Sequence, residues 1–496
     1  MPGWAGISSR LPDFHIHIVC LSSQAFPQLL QSVETTLHVN YHQSGHEAWE
    51  QDRKHLIHPF SSLAVNKEEG CTVMAGAEGV HVSDAEGNRF YDGIGGLWCV
   101  NVGYGRTEIV DAIAQQLREL PFYSAFNNLT NKPASALAAK IAELAPGPLN
   151  HVFFGTGGSM ANDSAVRMIH HYFNRIGKPH RKKILSRQNA YHGSTHLTIA
   201  LTGPVYQHGW DGATDLVHYL SAPHSYRRPD GVSEEGFLDF LIQEMEDAIL
   251  KLGPDNVAAF IAEPILGAGG VIVPPEGYHK RTWELCRKYG IFYISDEVVT
   301  AFGRLGHMFA SYDKFGVQPD IICTAKGISS GYQPLSATIV SEEIFEVISG
   351  PDGGFYHGFT YSCHPAACAA GLKNIEILER EKICERVRET GPVFEKTLKK
   401  LEDLDLVGEV RGSHFMMCIE NVANKATKEL LPAEVNVGKR IAQNCQKRGL
   451  IVRPLGHLNI MSPPLILDVS QIEEIGDIMR QAIVATMDEL TREGLL

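Results

Sequence analysis

The chain has no Cys-x-x-Cys pair, no unbroken apolar run of membrane-spanning length, no internal repeat, and fewer basic than acidic side chains. Each shortage excludes something. The ten cysteines, Cys20, Cys71, Cys99, Cys286, Cys323, Cys363, Cys368, Cys384, Cys418 and Cys445, are scattered and several sit inside apolar runs. That reads as buried free thiols in a reducing compartment, not as a disulfide frame or a zinc site. The segment from His15 to Leu21 falls well short of the roughly 20 apolar residues a spanning helix needs. With 44 Lys and Arg against 57 Asp and Glu the formal charge is −13, which repels phosphate backbones and anionic lipid surfaces. Neither nucleic acid nor membrane is an expected partner, and a cytoplasmic location is expected. The first forty residues are irregular, which leaves organelle targeting open.

What is present is the composition of an ordinary globular protein, 44% apolar and 20% charged over 496 residues. That length calls for two or three interlocked domains. From Val80 onward short β-branched runs alternate with amphipathic stretches. Val152 to Phe154, Ile184 to Leu185, Val257 to Ala262, Ile291 to Ile294 and Ile321 to Cys323 have strand length, with helical segments such as Ala161 to Ile176 and Tyr278 to Tyr289 between them. Strands apolar throughout and separated by helices predict a parallel sheet covered on both faces. After about Ala366 helical runs alternate with Val407 to Arg411 and Leu450 to Arg453, which predicts a smaller α+β part.

Ligands of open α/β sheets sit at the carboxyl ends of the strands, and chemically versatile residues fall there. Lys326 follows one strand, Asp296 ends another thirty residues earlier, and Glu263 ends a third. A lysine amine can hold an aldehyde as a Schiff base, and an aspartate can keep a pyridine nitrogen protonated so that the ring withdraws electrons. The pair therefore points to pyridoxal phosphate, although either residue alone is more often a solvated side chain or a helix cap. Gly155-Thr156-Gly157-Gly158-Ser159 joins a strand to a helix, where backbone N–H groups and the Ser159 hydroxyl suit a phosphate. A plain glycine-rich turn is the alternative. No lysine follows the glycines, so a nucleoside triphosphate loop is not indicated, nor is the spacing that of a dinucleotide fingerprint. Tyr191, before His192 and Gly193, could stack on a flat ring or belong to the core. Val298, two residues past Asp296, would share its direction in an extended chain. Arg453 could grip a carboxylate with two parallel hydrogen bonds, or simply end a surface strand.

Five blocks carry a family resemblance: Leu97 to Arg106 (LWCVNVGYGR), Tyr191 to Thr195 (YHGST), Ile294 to Gly306 (ISDEVVTAFGRLG), Thr324 to Tyr332 (TAKGISSGY) and His357 to Pro365 (HGFTYSCHP). In this order they resemble class III pyridoxal phosphate-dependent aminotransferases of fold type I, from about His55 to the C-terminus. Within the family the chain looks most like the ω-amino acid and amine:pyruvate transaminases. The resemblance implies a large domain with a mostly parallel seven-stranded sheet between helices, plus a smaller α+β domain built from N- and C-terminal segments. Its divisions would be 1–45 as an extension, 46–95 as the N-terminal part of the small domain, 96–365 as the cofactor domain and 366–496 as the C-terminal small domain.

The same resemblance implies roles. Lys326 would be the Schiff-base lysine and proton shuttle, and Asp296 the partner of the pyridine nitrogen. Gly157, Gly158 and Ser159 would form the phosphate cup. Tyr191 and Val298 would sandwich the ring, with His192 and Glu263 beside it. Thr360 would reach the phosphate of a neighbouring subunit, which makes a homodimer obligatory, with a tetramer also open. Phe60, Trp98, Phe126, Tyr191 and Ala268 would line the substrate pockets, and Arg453 would hold a carboxylate. The donor would be an ω-amino acid or a primary amine or diamine and the acceptor pyruvate or a similar keto acid, with no metal. The chain departs from the family's usual Ser-Gly-Ser-Glu-Ala in having Gly157-Gly158-Ser159-Met160-Ala161. Two other readings stand beside transamination: an aminomutase or decarboxylase on the same residues, and a non-catalytic cofactor-binding regulatory module.

Overall fold

A computed structural model describes residues 44–351 and 354–496. All but the last two residues of the expected N-terminal extension lie outside these. The described chain forms two compact units, one ending at Val73 and one spanning Met74–Leu496. The first holds helices α1 (Gly45–His55) and α2 (Leu63–Glu69). Ser44 and Glu47 close a reciprocal capping box at the start of α1, each satisfying a free N–H of the other.

The second unit begins with the antiparallel meander β1 (Met74–Glu78), β2 (His81–Asp84) and β3 (Arg89–Asp92). Its centre is a seven-stranded sheet made of β4 (Leu149–Gly155), β5 (Lys183–Arg187), β6 (Val217–Leu220), β7 (Val257–Ala262), β8 (Phe292–Asp296), β9 (Ile321–Thr324) and β10 (Ser336–Ser341). The order across it is β4-β10-β9-β8-β7-β5-β6. β10 runs antiparallel to both its neighbours while the other pairings are parallel. The carboxyl ends of β4, β5, β7, β8 and β9 therefore share one edge. Every residue of β7, β8, β9 and β10 is buried, as expected for strands covered by helices on both faces. Helix α3 (Gly158–Arg175) lays Ala165, Val166 and Ile169 against one face. Helix α4 (Glu234–Leu252) and α5 (Tyr278–Tyr289) cover the other through Leu241, Met245 and Leu285.

The expected strands are all found, and β6 and β10 are added to them. β10 reads Ser-Ala-Thr-Ile-Val-Ser, so its hydroxyls mask a buried strand; Thr338 is satisfied by the Ala161 carbonyl at 2.9 Å. The tail carries helices α6 (Pro365–Arg380) and α7 (Ile383–Lys399), then β11 (Val407–Ser413) and β12 (Met416–Asn421). The run Leu450 to Arg453, expected as one strand, is two. β13 (Leu450–Ile451) pairs in parallel with β3, whereas β14 (Arg453–Leu455) joins β15 (Leu458–Met461) in the sheet β11-β12-β15-β14. Chain ends thus share a sheet, and Arg453 opens the strand that follows the switch.

Burial sets a pH limit on this fold. His279, on α5, donates Nε2–H to the Pro264 carbonyl at 2.8 Å and accepts the Tyr293 hydroxyl at Nδ1 at 3.0 Å. Those bonds suit a neutral ring, and burial pushes its pKa from 6.5 down to about 3. As pH falls below about 6.5 the unfolded chain takes up a proton that the folded chain refuses, so stability drops by up to about 1.4 kcal/mol per pH unit for this group. The thermal midpoint should fall between pH 6.5 and 5, and His279→Gln should make that fall measurably shallower in differential scanning fluorimetry; an unchanged slope would contradict the assignment.

Candidate active site

Lys326 stands two residues beyond β9 with φ at +46°, in the left-handed region that lysine rarely occupies. The conformation persists because the turn is clamped. Asn374 on α6 donates Nδ2–H to the carbonyls of Gly327 and Ile328 at 2.8 and 3.0 Å, and its Oδ1 accepts the Ser330 hydroxyl at 2.6 Å. Gly327 has no side chain because one would lie 2.4 Å from Asn101 Nδ2. Asn101 is itself fixed by Arg304, whose Nη2 reaches its Oδ1 at 2.9 Å, and by the Phe302 carbonyl at 2.7 Å. Burial pushes the Lys326 ammonium below the usual lysine range; Cys99, Asp296 and Glu263 oppose the shift and Arg453 adds to it. Two carboxylates and an arginine are therefore in electrostatic reach of Lys326.

Asp296 ends β8, one strand over. Its Oδ2 accepts His192 Nδ1–H and Asn162 Nδ2–H, each at 2.7 Å, and its Oδ1 accepts the Val298 N–H at 3.1 Å. Asn162 also donates to the His192 carbonyl at 2.8 Å. Glu263, just past β7, accepts the Tyr191 N–H at 3.0 Å and the Gly267 N–H at 2.7 Å, and burial raises its pKa. It holds the backbone of Tyr191. The Tyr191 hydroxyl meets Ser194 Oγ at 2.9 Å, and the ring packs edge-on against Tyr206 at 5.6 Å.

The glycines expected to form a phosphate cup lie at the start of a helix. Gly157 precedes α3, which starts without a side-chain cap, so its first N–H groups are free for an anion. Nothing approaches within 4 Å of where a Gly157 side chain would begin. Ser159 Oγ accepts the Ser194 N–H at 3.2 Å, and Gly193, with φ at +136°, must be glycine because a Cβ would meet that same Oγ at 2.6 Å. Met160, in place of the family's acid, receives the Thr156 hydroxyl on its sulfur at 2.9 Å. An uncapped helix start, a lysine of lowered pKa and a buried carboxylate on the neighbouring strand fit the phosphate, aldehyde and ring nitrogen of pyridoxal phosphate. The partnerless buried atoms Asn162 Oδ1 and His192 Nε2 stay close by.

Several expectations change in form. Val298 does not share the direction of Asp296 in an extended strand, because β8 stops at Asp296 and the chain turns. It reaches the cup by packing on Gly158, where a Cβ would lie 2.8 Å from Val298 Cγ1. Trp98 has no open face: it is 2% exposed, among Ile265, Met416, Leu458 and Ile460. Ala268 is half-buried, and its carbonyl takes the Tyr206 hydroxyl at 2.7 Å. Phe126 and Thr360 are both exposed, and the Phe126 ring lies against Gly358, 3.2 Å from where its Cβ would be. Phe60 belongs to the unit ending at Val73, with φ at +51°. Sequence reasoning missed Asn162 and Tyr206. Asn162 faces the site because it stands one turn after Gly158 on α3; Tyr206, whose hydroxyl burial pushes up to about 12 with Arg453, Glu263 and Tyr191 as charged or ionisable neighbours, had no local signal.

Fold and site together define a pyridoxal phosphate-dependent transferase of the type with cofactor residues at the carboxyl edge of a seven-stranded sheet. The family model for class-III aminotransferases matches residues 62–483. The putrescine–pyruvate aminotransferase of Pseudomonas aeruginosa is 44% identical over 437 residues, covering 88% of this chain and 95% of the relative. Among solved structures, an (S)-enantioselective ω-transaminase from Thermomicrobium roseum superposes with a TM-score of 0.88 at 41% identity, covering 90% of this chain and all of that one. The ω-transaminase of Pseudomonas jessenii in complex with PMP gives 0.87 at 38% identity, over 89% and 99% of the two chains. The chain belongs to the class-III aminotransferases, and its cofactor is pyridoxal 5′-phosphate.

Asn162 gives the site a direct test. Removing its bond to a buried carboxylate forfeits a charge-assisted hydrogen bond of about 1.5–3 kcal/mol. Asn162→Ala should therefore release pyridoxal phosphate about 10- to 100-fold more readily in dialysis followed by absorbance, while keeping its fold by circular dichroism. Retention equal to the parent's would deny Asn162 any part in holding Asp296.

Proposed function

We propose that this aminotransferase moves an amino group from an ω-amino acid, primary amine or diamine to pyruvate or a similar keto acid, in a ping-pong cycle run by Lys326. The observation that carries the reading is the convergence of Lys326, Asp296 and Glu263 at one sheet edge with Arg453 in electrostatic reach. The similarity to the putrescine–pyruvate enzyme supports the choice of donor and acceptor.

Bound pyridoxal phosphate supplies an aldehyde for the incoming amine and a ring that withdraws electrons. Asp296, held by three donors, keeps a proton on the ring nitrogen. Gly157, Gly158 and Ser159 bind the phosphate at the start of α3. Tyr191 and Val298 confine the ring, and Glu263 and His192 hold Tyr191 and Asp296 in place. Lys326 Nζ, whose pKa burial lowers, has more neutral amine available near pH 7 than a solvated lysine; it takes the proton from the donor carbon and gives one back. The donor leaves as an aldehyde or ketone and the keto acid leaves as an amino acid, without loss of carbon dioxide. That separates transamination from decarboxylation.

Arg453 grips the carboxylate of pyruvate, while Ala268 and Tyr206, joined by a hydrogen bond, bound the space for the amine. Phe126 and Thr360 are both exposed, which suits donation to the site of a second copy in a homodimer or tetramer. The nine described cysteines are all unpaired, which supports a reducing compartment such as the cytoplasm. Among the described residues no helix is long and apolar enough to cross a membrane.

Lys326→Ala should lower the rate of alanine formation from putrescine and pyruvate at least about 10³-fold, the scale of a lost general base; near-parental turnover would refute its role. Arg453→Ala should lower kcat/KM for pyruvate about 10- to 100-fold yet leave an uncharged aldehyde acceptor nearly unaffected. Equal losses for both acceptors would remove Arg453 from carboxylate binding.

A further inference from the structure

The unit ending at Val73 has no core to hold its described part together. Neither α1 nor α2 contains a buried residue, so what joins them is a small set of specific contacts. The helices meet at Trp49, whose indole occupies the place a side chain at Gly70 would take, 2.0 Å from its Cβ position. The Arg53 guanidinium lies over that ring at 4.3 Å and reaches the Lys67 carbonyl through Nε at 3.1 Å. These contacts bring the end of α2 against the middle of α1.

It also brings together three metal-ligating side chains from three places in the segment. Asp52 Oδ2, on α1, lies 2.8 Å from His58 Nε2 in the connecting turn and 3.2 Å from Cys71 Sγ just after α2. All three ligand atoms are within 4.8 Å of one another, and all three residues are half-buried. A tetrahedral zinc ion, with bonds of about 2.0–2.3 Å, spaces its ligand atoms by about 3.3–3.6 Å. The two spacings to Asp52 are those of direct hydrogen bonds and need to open by less than about 1 Å. The donor set is one thiolate, one carboxylate and one imidazole nitrogen, so its two negative charges match a divalent ion. A thiolate with an imidazole favours a zinc-like ion over magnesium or calcium.

The other three-residue cluster, His224 with Glu409 and Glu420, lacks this property. There Arg227 and Arg411 already pair with Glu420, and an entering cation would have to displace them.

We propose that Asp52, His58 and Cys71 form a binding site for a divalent cation of the zinc class, completed by water, that staples α1 to the end of α2. Binding releases the Cys71 thiol proton to solvent. Cysteine spacing carries no sign of such a site, because only one ligand is a cysteine and the three are joined by a helical contact.

The test uses the full chain with its cofactor bound. After treatment with chelator, the parent and Cys71→Ala are dialysed against Zn2+ and their retained metal is measured; separately, alkylation of Cys71 in the parent is followed by peptide mass spectrometry with and without Zn2+. The parent should retain about one ion that the variant lacks, with at least about tenfold weaker binding in the variant, since even indirect partners of a metal are worth about 10- to 100-fold. Zn2+ should slow alkylation of Cys71 about tenfold or more. Equal metal retention in the two proteins, or an alkylation rate indifferent to Zn2+, overturns the site, and the second measurement stands even if the variant folds poorly.

Discussion

A buried carboxylate must find partners, and the satisfaction of Asp296 is the constraint on which the active site depends. Leaving such a charge unpaired costs several kcal/mol, so its three donors are drawn to one point. They come from three segments: Asn162 on α3, His192 in the loop after β5, and the Val298 N–H beyond β8. Meeting at Asp296 fixes where α3 begins, and hence where the phosphate cup opens. It also fixes the loop that carries Tyr191. The geometry of the cup and of the ring site is thus a consequence of satisfying one acid.

Lys326 depends on a second set of bonds that is structural in kind. Its left-handed backbone is held by Asn374 from α6 and by the close approach of Asn101, which Arg304 secures in turn. Arg304 lies fully buried, donating to the carbonyl of Phe415 at 3.2 Å and to that of Pro463. The long family motifs therefore record two kinds of requirement. A few positions meet the cofactor, and the others lock loops distant in sequence into one framework. Gly327 and Arg304 belong to the second kind, though they read in the sequence as part of the catalytic blocks.

Arg453 and Tyr206 are positioned by elements outside the large sheet. Arg453 opens β14 where the chain leaves one sheet for another, so its position answers to the packing of the C-terminal tail. Tyr206 links the Ala268 carbonyl to the edge of Tyr191 and thereby ties the ring site to the wall beside it. Gly157 leaves open ground just before α3, and Met160 takes the Thr156 hydroxyl on sulfur.

The sequence by itself determined the α/β class, most strands of the large sheet, and the identity of the cofactor. Those features are written locally, in β-branched runs of strand length and in glycines next to helix starts, and the period of the backbone makes them legible. Tertiary structure alone decided that Ser336–Ser341 is a buried strand running against its neighbours, that the chain turns at Val298, and that Leu450 to Arg453 divides between two sheets. It also decided that Asn162 serves Asp296, 134 residues away, and that Asp52, His58 and Cys71 meet. Such partnerships follow from which buried polar groups must be satisfied and which surfaces pack, and a pattern read along the chain holds no term for either.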